Sequence, residues 1–269
     1  MTTDQLKRLC SEVSNLSLKA GSFLLEEQRK ITASAIERKG VNDLVSYVDK
    51  QTELFFVNGL SELLPEAGFI AEEGSGTPAT SGLNWVIDPL DGTTNYLHQI
   101  PFFCTSVALL QNNEPILGVI FDPTHNELFS AYGSEQTQLN GEPIRVSGVT
   151  DLRDMLIVTG FPYNDRGMLK RNLNAIEVFS RQSRGIRRLG SAALDMAYVA
   201  CGRFDGFYEY GLNPWDVAAG TILVRNAAGV VNDFINSGNP IFGEEIIAAS
   251  KVGFNHMQPI VQKCFSEDL

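Results

Sequence analysis

Apolar residues recur every three or four positions through Leu6, Leu9, Cys10, Val13, Leu16, Ala20, Phe23 and Leu24. That spacing lines one stripe of a 3.6-residue helix and predicts a long amphipathic helix over about residues 4–29. A second helix is predicted over about 50–64, with Leu54, Phe55, Leu60 and Leu63 on its apolar side and Pro65 ending it. Between them, IERKGVNDLVSYVDK carries Gly40 and Asn42-Asp43, which signal a turn. From residue 68 the pattern shortens to apolar runs: GFIA at 68–71, NWVID at 84–88, TSVALL at 105–110, PILGVIFD at 115–122 and ELFSAY at 127–132. The turn-forming runs Gln111-Asn112-Asn113, Pro123-Thr124-His125-Asn126 and Asn140-Gly141 mark hairpins of an antiparallel meander. Helices followed by strands predict an α+β half.

Past residue 150 the two kinds of element alternate. MLIVTG at 155–160 reads as a buried strand, 167–181 as a helix, 191–201 as a small-residue helix, DGFYEY at 205–210 as a strand and 214–228 as a helix. VVNDF at 230–234 and IIAAS at 246–250 follow as strands, and 252–264 as a closing helix. Alternation predicts an α/β half with a mixed or mostly parallel sheet. The expected organisation is two domains, 1–150 and 151–269, joined without a flexible linker across a tight interface, a common place for active sites.

Composition narrows the functional classes. Among 269 residues, 43% are hydrophobic and 20% charged, which is globular and neither disordered nor fibrous. Lys and Arg number 21 against 32 Asp and Glu, so 21 − 32 gives a net charge of −11. A surface so acidic repels phosphate backbones and anionic bilayers, which argues against direct nucleic-acid or membrane partners. No run approaches the ~18–20 apolar residues of a membrane span, and the charged start MTTDQLKRLC lacks a secretory pattern. The expected location is cytoplasmic. Cys10, Cys104, Cys201 and Cys264 are widely separated and read as buried thiols, while His98, His125 and His256 form no zinc-binding spacing. A catalytic metal would therefore rest on oxygen ligands, favouring Mg2+, Mn2+ or Ca2+.

WVIDPLDGTTN at 85–95 is the most informative segment. A strand is expected to end at Asp88, Pro89 to bend the chain, Asp91 to fall on the same side of one turn, and Gly92, Thr93 and Thr94 to open a helix. Two carboxylates ~4 Å apart repel by ~4 kcal/mol at an effective dielectric of ~20, a cost that a divalent cation reverses. The Leu90 carbonyl offers a third oxygen, and the N–H groups of Gly92 and Thr93 suit a phosphate. The alternative is an Asp-Pro turn with an Asp cap, which explains any one of these residues but not all together. Glu72 and Glu73 close the GFIA strand and read either as a solvated turn or as part of a site. In GLNPWDVAAG, Asn213 fits an N-cap, Pro214 the first helical position and Asp216 the third, where an acid ordinarily complements the helix dipole. Trp215 beside it suggests a partly buried helix entrance.

Taken in order, AEEG, DPLDGTTN, GSAALDMAYVACGRFDGFYE at 190–209, NPWDVAAG and AAGVVNDF at 227–234 resemble the inositol monophosphatase family, lithium-sensitive and magnesium-dependent phosphatases, over about residues 5–265. The resemblance implies a layered α-β-α-β-α sandwich of the sugar phosphatase type and hydrolysis of inositol monophosphate and related polyol monoesters. It implies two to three Mg2+ ions: Glu72, Asp88 and the Leu90 carbonyl on the first, Asp88, Asp91 and Asp216 on the second, and Glu72 on a third, with Glu73 supporting. Mn2+ is the implied substitute, with Li+ and Ca2+ as inhibitors. Thr93 would help Glu72 orient and deprotonate the attacking water, Asp49 would hydrogen-bond behind Thr93, and Lys39 would stand near the third metal. On the substrate side the resemblance implies Asp91, Gly92, Thr93, Gly190, Ser191, Ala192, Glu209 and Asp216. The run at 190–192 reads equally as tight helix packing, with Ser191 as an N-cap. Arg187 and Arg188 read as surface or interface charges, and Phe207, Tyr208 and Tyr210 as sheet core.

The charge argument agrees with the family's chemistry, because a phosphate dianion enters a pocket of carboxylates only when cations reverse the local field. Phosphatases for fructose 1,6-bisphosphate, 3′-phosphoadenosine 5′-phosphate or histidinol phosphate are rivals within the superfamily. A bisphosphate needs a second basic cluster, for which Arg166–Lys170–Arg171 and Arg184–Arg187–Arg188 are candidates. A regulatory protein-binding role is the rival from another class. A homodimer is expected from the resemblance.

Overall fold

The first helix, α1 (Thr3–Gln28), opens with a reciprocal cap in which the Thr2 and Gln5 side chains each accept from the other's backbone N–H. Its buried stripe is the one read from sequence, with Leu6, Leu9, Cys10, Val13, Ala20 and Leu24 inward. This is a computed structural model, and it describes residues 1–30, 36–38, 44–80, 82–162 and 165–266. The short strands β1 (Ile36–Arg38) and β2 (Leu44–Ser46) pair antiparallel, a hairpin that the turn signal alone did not reveal. Gly40, Asn42 and Asp43 lie outside the described residues. The second helix, α2 (Tyr47–Leu63), starts a turn earlier than expected. That extension sets Val48, Thr52, Phe56 and Leu60 at four-residue spacing on the inner face and leaves Leu54 and Phe55 exposed.

Next come β3 (Gly68–Ala71), β4 (Leu83–Asp91), α3 (Thr93–Leu97), β5 (Cys104–Gln111), β6 (Glu114–Asp122), β7 (Glu127–Tyr132), β8 (Gln138–Leu139) and β9 (Glu142–Pro143). They form one seven-stranded sheet in chain order. The expected meander is antiparallel from β4 onward, and Asn112, Asn113, Asn126 and Asn140 take the left-handed conformations that its turns require. The exception is β3, which pairs with β4 in parallel. Turn residues specify hairpins only across short gaps, and the gap in sequence between β3 and β4 is longer.

The chain continues through β10 (Leu156–Thr159), α4 (Arg166–Gln182), β11 (Gly185–Arg187), α5 (Ala192–Ala200), β12 (Gly206–Tyr210), α6 (Pro214–Asn226), β13 (Gly229–Asn232), β14 (Glu245–Ser250) and α7 (Lys251–Ser266). The second sheet has order β11-β10-β12-β14-β13, parallel across β10's two pairings and antiparallel elsewhere. Strand β11 carries only three residues, of which Ile186 alone is a large apolar side chain, too little pattern to read in advance.

These elements stack as α-β-α-β-α. Helices α1 and α2 cover one face of the seven-stranded sheet, α5 and α6 fill the space between the sheets, and α4 and α7 cover the far face of the second. The middle layer is built for close approach: α5 and α6 bury Ala192, Ala193, Ala197, Ala200, Ala218 and Ala219. The largest core cluster joins Val86, Cys104, Ile120 and Phe129 to Leu194, Met196, Phe207, Leu223 and Ala248, drawing on both halves of the chain. Each fully buried leucine or phenylalanine there contributes about 1.5–3 kcal/mol. The four cysteines are free thiols, with Cys10 and Cys104 buried but Cys201 and Cys264 only half-buried. Among the described residues, no helix is long and apolar enough to cross a membrane.

Candidate active site

The parallel pairing of β3 with β4 sets the site. Ala71 pairs with Ile87, and the Glu72 N–H donates to the Ile87 carbonyl at 3.3 Å, so Glu72 follows β3 at the level where Asp88 follows Ile87. The turn after β3 is held from beneath by Glu53, which is wholly buried. Its two carboxylate oxygens accept from the Glu73 N–H at 2.7 Å and the Ser75 N–H at 2.8 Å. Glu53 was not singled out from sequence, although an acid four residues beyond Asp49 on a buried stripe was a usable signal.

Strand β4 does not end at Asp88. It continues through Pro89 to Asp91, with Asp88 opposite Ser106 and Asp91 opposite Cys104. Three steps on β4 thus answer two on β5, which is a one-residue bulge. In a regular strand, positions i and i+3 face opposite sides; the extra residue restores both aspartates to one side. The bulge, rather than a helical turn, brings the carboxylates together, and it accommodates Pro89, which has no N–H for the ladder. Asp88, only 2% exposed, accepts from the Leu90 N–H at 3.0 Å. Gly92 then turns the chain at φ +90°, where an added Cβ would meet the Phe102 carbonyl oxygen at 2.9 Å. The helix it opens, α3, is only five residues long. The Thr93 hydroxyl donates to the Leu90 carbonyl at 2.9 Å.

Two helices of the middle layer complete the site. Ser191 caps α5 by accepting from the Leu194 N–H, and its hydroxyl donates to Asp91 at 2.7 Å. The Ala193 N–H reaches the same Asp91 oxygen at 2.7 Å. Ser191 is therefore both helix cap and a fastener between the sheet and α5. At the start of α6, Asn213 and Asp216 form the expected cap, with the Asn213 N–H donating to Asp216 at 2.7 Å. Buried Asn95 donates to the carbonyls of Phe102 and Leu189, both at 2.8 Å, tying α3 to the approach to α5.

The outcome is a cluster in which one carboxylate oxygen from each of Asp88, Asp91 and Asp216 lies within 4.8 Å of the others. Burial pushes all three carboxyls above the ordinary aspartate range; neighbouring carboxylates push Asp88 and Asp216 further, whereas hydrogen bonds from Ser191 and Ala193 and the charge of Arg188 hold Asp91 back. Glu72 rises as well, by burial first and then by the charges of Asp216 and Asp49. Every charge acting strongly on Glu72, Asp88 and Asp216 is another carboxylate. Lys39 lies outside the described residues. The donors are hard oxygens without histidine or thiolate, and they fit Mg2+, Mn2+ or Ca2+ rather than zinc.

Beside the cluster is a cavity of about 110 Å³, whose wall includes Asp91, Asp216, Ser191, Asp195, Glu209 and Arg188. Gly190 and Ala192 line it too. Glu209 fits only because residue 160 is glycine: a Cβ there would lie 1.8 Å from Glu209 Oε1. Burial, reinforced by Asp216, pushes the Glu209 carboxyl up to about 8. Arg188 is exposed, as expected of a surface charge, and it also lines this wall, 5.9 Å from the centre of the Phe161 ring. Asp195 was also missed; a lone acid inside the apolar run of α5 was its only sequence signal.

A family model described as the inositol monophosphatase family matches residues 6–264. A Xylella fastidiosa protein named Nus factor SuhB is 43% identical over 221 residues, 82% of this chain and 80% of that protein. An inositol-1-monophosphatase of Rhizobium meliloti is 38% identical over 246 residues, covering 91% of this chain and 92% of its own. Among solved structures, the extragenic suppressor protein suhB from Bartonella henselae superposes with a TM-score of 0.90 at 37% identity, covering 95% of this chain and 99% of that one.

Proposed function

The chain belongs to the inositol monophosphatase family of metal-dependent phosphomonoesterases, and from that premise we propose that it hydrolyses inositol monophosphate and related polyol monoesters with Mg2+. The observation that carries this reading is the convergence of three carboxylates, Asp88 buried and Asp91 and Asp216 half-buried, within 4.8 Å of one another. Asp88, Asp91 and Asp216 would hold the metal, joined by Glu72 and the Leu90 carbonyl. When bound, the divalent cation supplies the positive charge that offsets the phosphate dianion and eases loss of a proton from water.

The protein's own groups supply the rest. Glu72, kept basic by burial and by neighbouring carboxylates, accepts the proton of the attacking water. Thr93 gives its proton to the Leu90 carbonyl, which frees its oxygen to accept from that water and orient it. Asp49, buried in the first turn of α2, adds negative charge that maintains the basicity of Glu72. The N–H groups of Gly92 and Thr93 would hold phosphate oxygens, and Glu209 with the backbone at Gly190–Ala192 would hold the polyol. A bisphosphate is the weaker alternative. Arg184 pairs with Asp154, and Arg171 donates to the Phe265 carbonyl, so Arg188 is the cation on the described cavity wall. Homodimerisation is part of this reading, and sedimentation tests it.

Phosphate release from inositol 1-phosphate, measured with Mg2+, with EDTA and with added Li+, tests the assignment. Release that EDTA abolishes and Li+ inhibits supports it, whereas absence of Mg2+-dependent release refutes it. A protein-contact role alongside hydrolysis is favoured by the 43% identity to a protein named Nus factor SuhB. The two roles separate on Asp88→Asn, which removes hydrolysis while leaving a surface contact in place.

A further inference from the structure

Asp195 has no role in the chemistry above, yet it sits on the wall of the same cavity. It is 1% exposed, and its Oδ1 has no hydrogen-bond partner among the described residues. It is near enough to Glu209 and Asp91 to be repelled by both and to Arg188 to be attracted. A helix-dipole role does not account for it. The Ala193 N–H already goes to Asp91, the Leu194 N–H to the Ser191 hydroxyl, and the Asp195 N–H to the Ser191 carbonyl. An acid serving the dipole alone could also sit in water, where its charge costs little. A buried carboxyl with an unmet oxygen is a cost to folding that a leucine at the same place would avoid.

We propose that Asp195 is a specificity-determining residue that, with Glu209, presents paired carboxyl groups to neighbouring hydroxyls of a polyol phosphate on the wall away from the metal ligands. The inference rests on the phosphatase reading and extends it from a hydrolytic site to the way its substrate is chosen. Geometry supports the pairing. Asp195 lies one turn beyond Ser191 and Ala192 on α5, Glu209 comes from β12, and both face one cavity that also contains Asp91. Burial holds the Asp195 carboxyl well above the usual aspartate range, and its unpartnered Oδ1 is an acceptor that a substrate hydroxyl can meet. A site whose buried polar groups are completed by substrate hydroxyls rejects analogues that lack them, because those groups are then left unpaired.

The test compares the full-length native protein with Asp195→Asn in Mg2+, using inositol 1-phosphate, its monodeoxy analogues and phenyl phosphate. For Asp195→Asn, the ratio of kcat/KM for inositol 1-phosphate to that for phenyl phosphate should fall about tenfold, mainly through KM. One monodeoxy analogue should be a poorer substrate than its parent for the native protein but not for the variant, as expected of a directly coupled pair. An equal loss on both substrates would mark Asp195 as structural and overturn the inference. So would native turnover of every monodeoxy analogue at the parental rate, a result that stands even if the variant does not fold. If the native protein releases no phosphate from phenyl phosphate either, the phosphatase reading itself fails, and this inference with it.

Discussion

The site has two acidic walls made of the same side chain and set to different work. On one, Asp88, Asp91 and Asp216 crowd within 4.8 Å, and each is fixed by a backbone N–H from Leu90, Ala193 or Asn213. On the other, Glu209 and Asp195 come from β12 and α5, with Arg188 on the same cavity wall and its charge acting on both. The first wall is electrostatically incomplete without a cation. The second holds carboxyls that burial raises and the charge of Arg188 partly offsets, and that suit hydroxyl groups. Spacing and local cations, rather than residue type, decide whether an aspartate becomes a metal ligand or a hydrogen-bonding group.

The sharpest way to break this contrast is to neutralise one acid of the first wall. Asp88→Asn or Asp216→Asn should lower Mg2+-dependent phosphate release at least about a thousandfold. The same change should raise the melting temperature of the EDTA-treated protein by roughly 3–6 °C, since it removes buried like-charge repulsion. A loss of both activity and stability would instead identify a structural acid. Next in size is Glu53→Gln, which touches neither wall but loosens the turn carrying Glu72; titration calorimetry should show Mg2+ affinity reduced about 10–100-fold. On the second wall, Gly160→Ala should displace Glu209 and reduce kcat/KM for inositol 1-phosphate about tenfold, with a smaller change for phenyl phosphate.

The smallest expected effect is on pH dependence. Carboxyls at Glu72, Asp88, Asp91, Asp216 and Glu209 are raised in the folded state above their unfolded values near 4. The folded protein therefore binds more protons than the unfolded chain across the window between, and stability falls as pH rises through it. In EDTA, the melting temperature should be several degrees lower at pH 8 than at pH 5.5 by calorimetry, and Mg2+ should flatten the slope because it favours the ionised forms. A melting temperature in EDTA that rises over this range would contradict the assignment.

The first wall was far easier to read in the sequence than the second, for a physical reason. DPLDGTTN and NPWDVAAG each compress a strand end or helix cap and its acid into a few residues, so local rules place the side chains. Even there, the device that aligns Asp88 with Asp91 is a bulge, which depends on pairing with β5 and leaves no local mark beyond Pro89. The parallel return of β3 was likewise invisible, because the connection at 72–82 carries no hairpin signal. Glu53 and Asp195 are single acids in apolar stripes, and what each faces is set by tertiary packing. The layered fold was legible because helix and strand periods differ plainly along most of the chain. The α2 start, β11 and the β1–β2 hairpin were missed where elements are short or their apolar faces ambiguous.

Mn2+ binding followed by electron paramagnetic resonance, with the native protein beside Asp88→Asn and Asp216→Asn, measures the first wall's incompleteness without relying on turnover. Saturable Mn2+ binding to the native protein, displaced by Mg2+ and weakened at least tenfold by either substitution, is the predicted result. Mn2+ binding that is absent from the native protein, or unaltered by both substitutions, would contradict it.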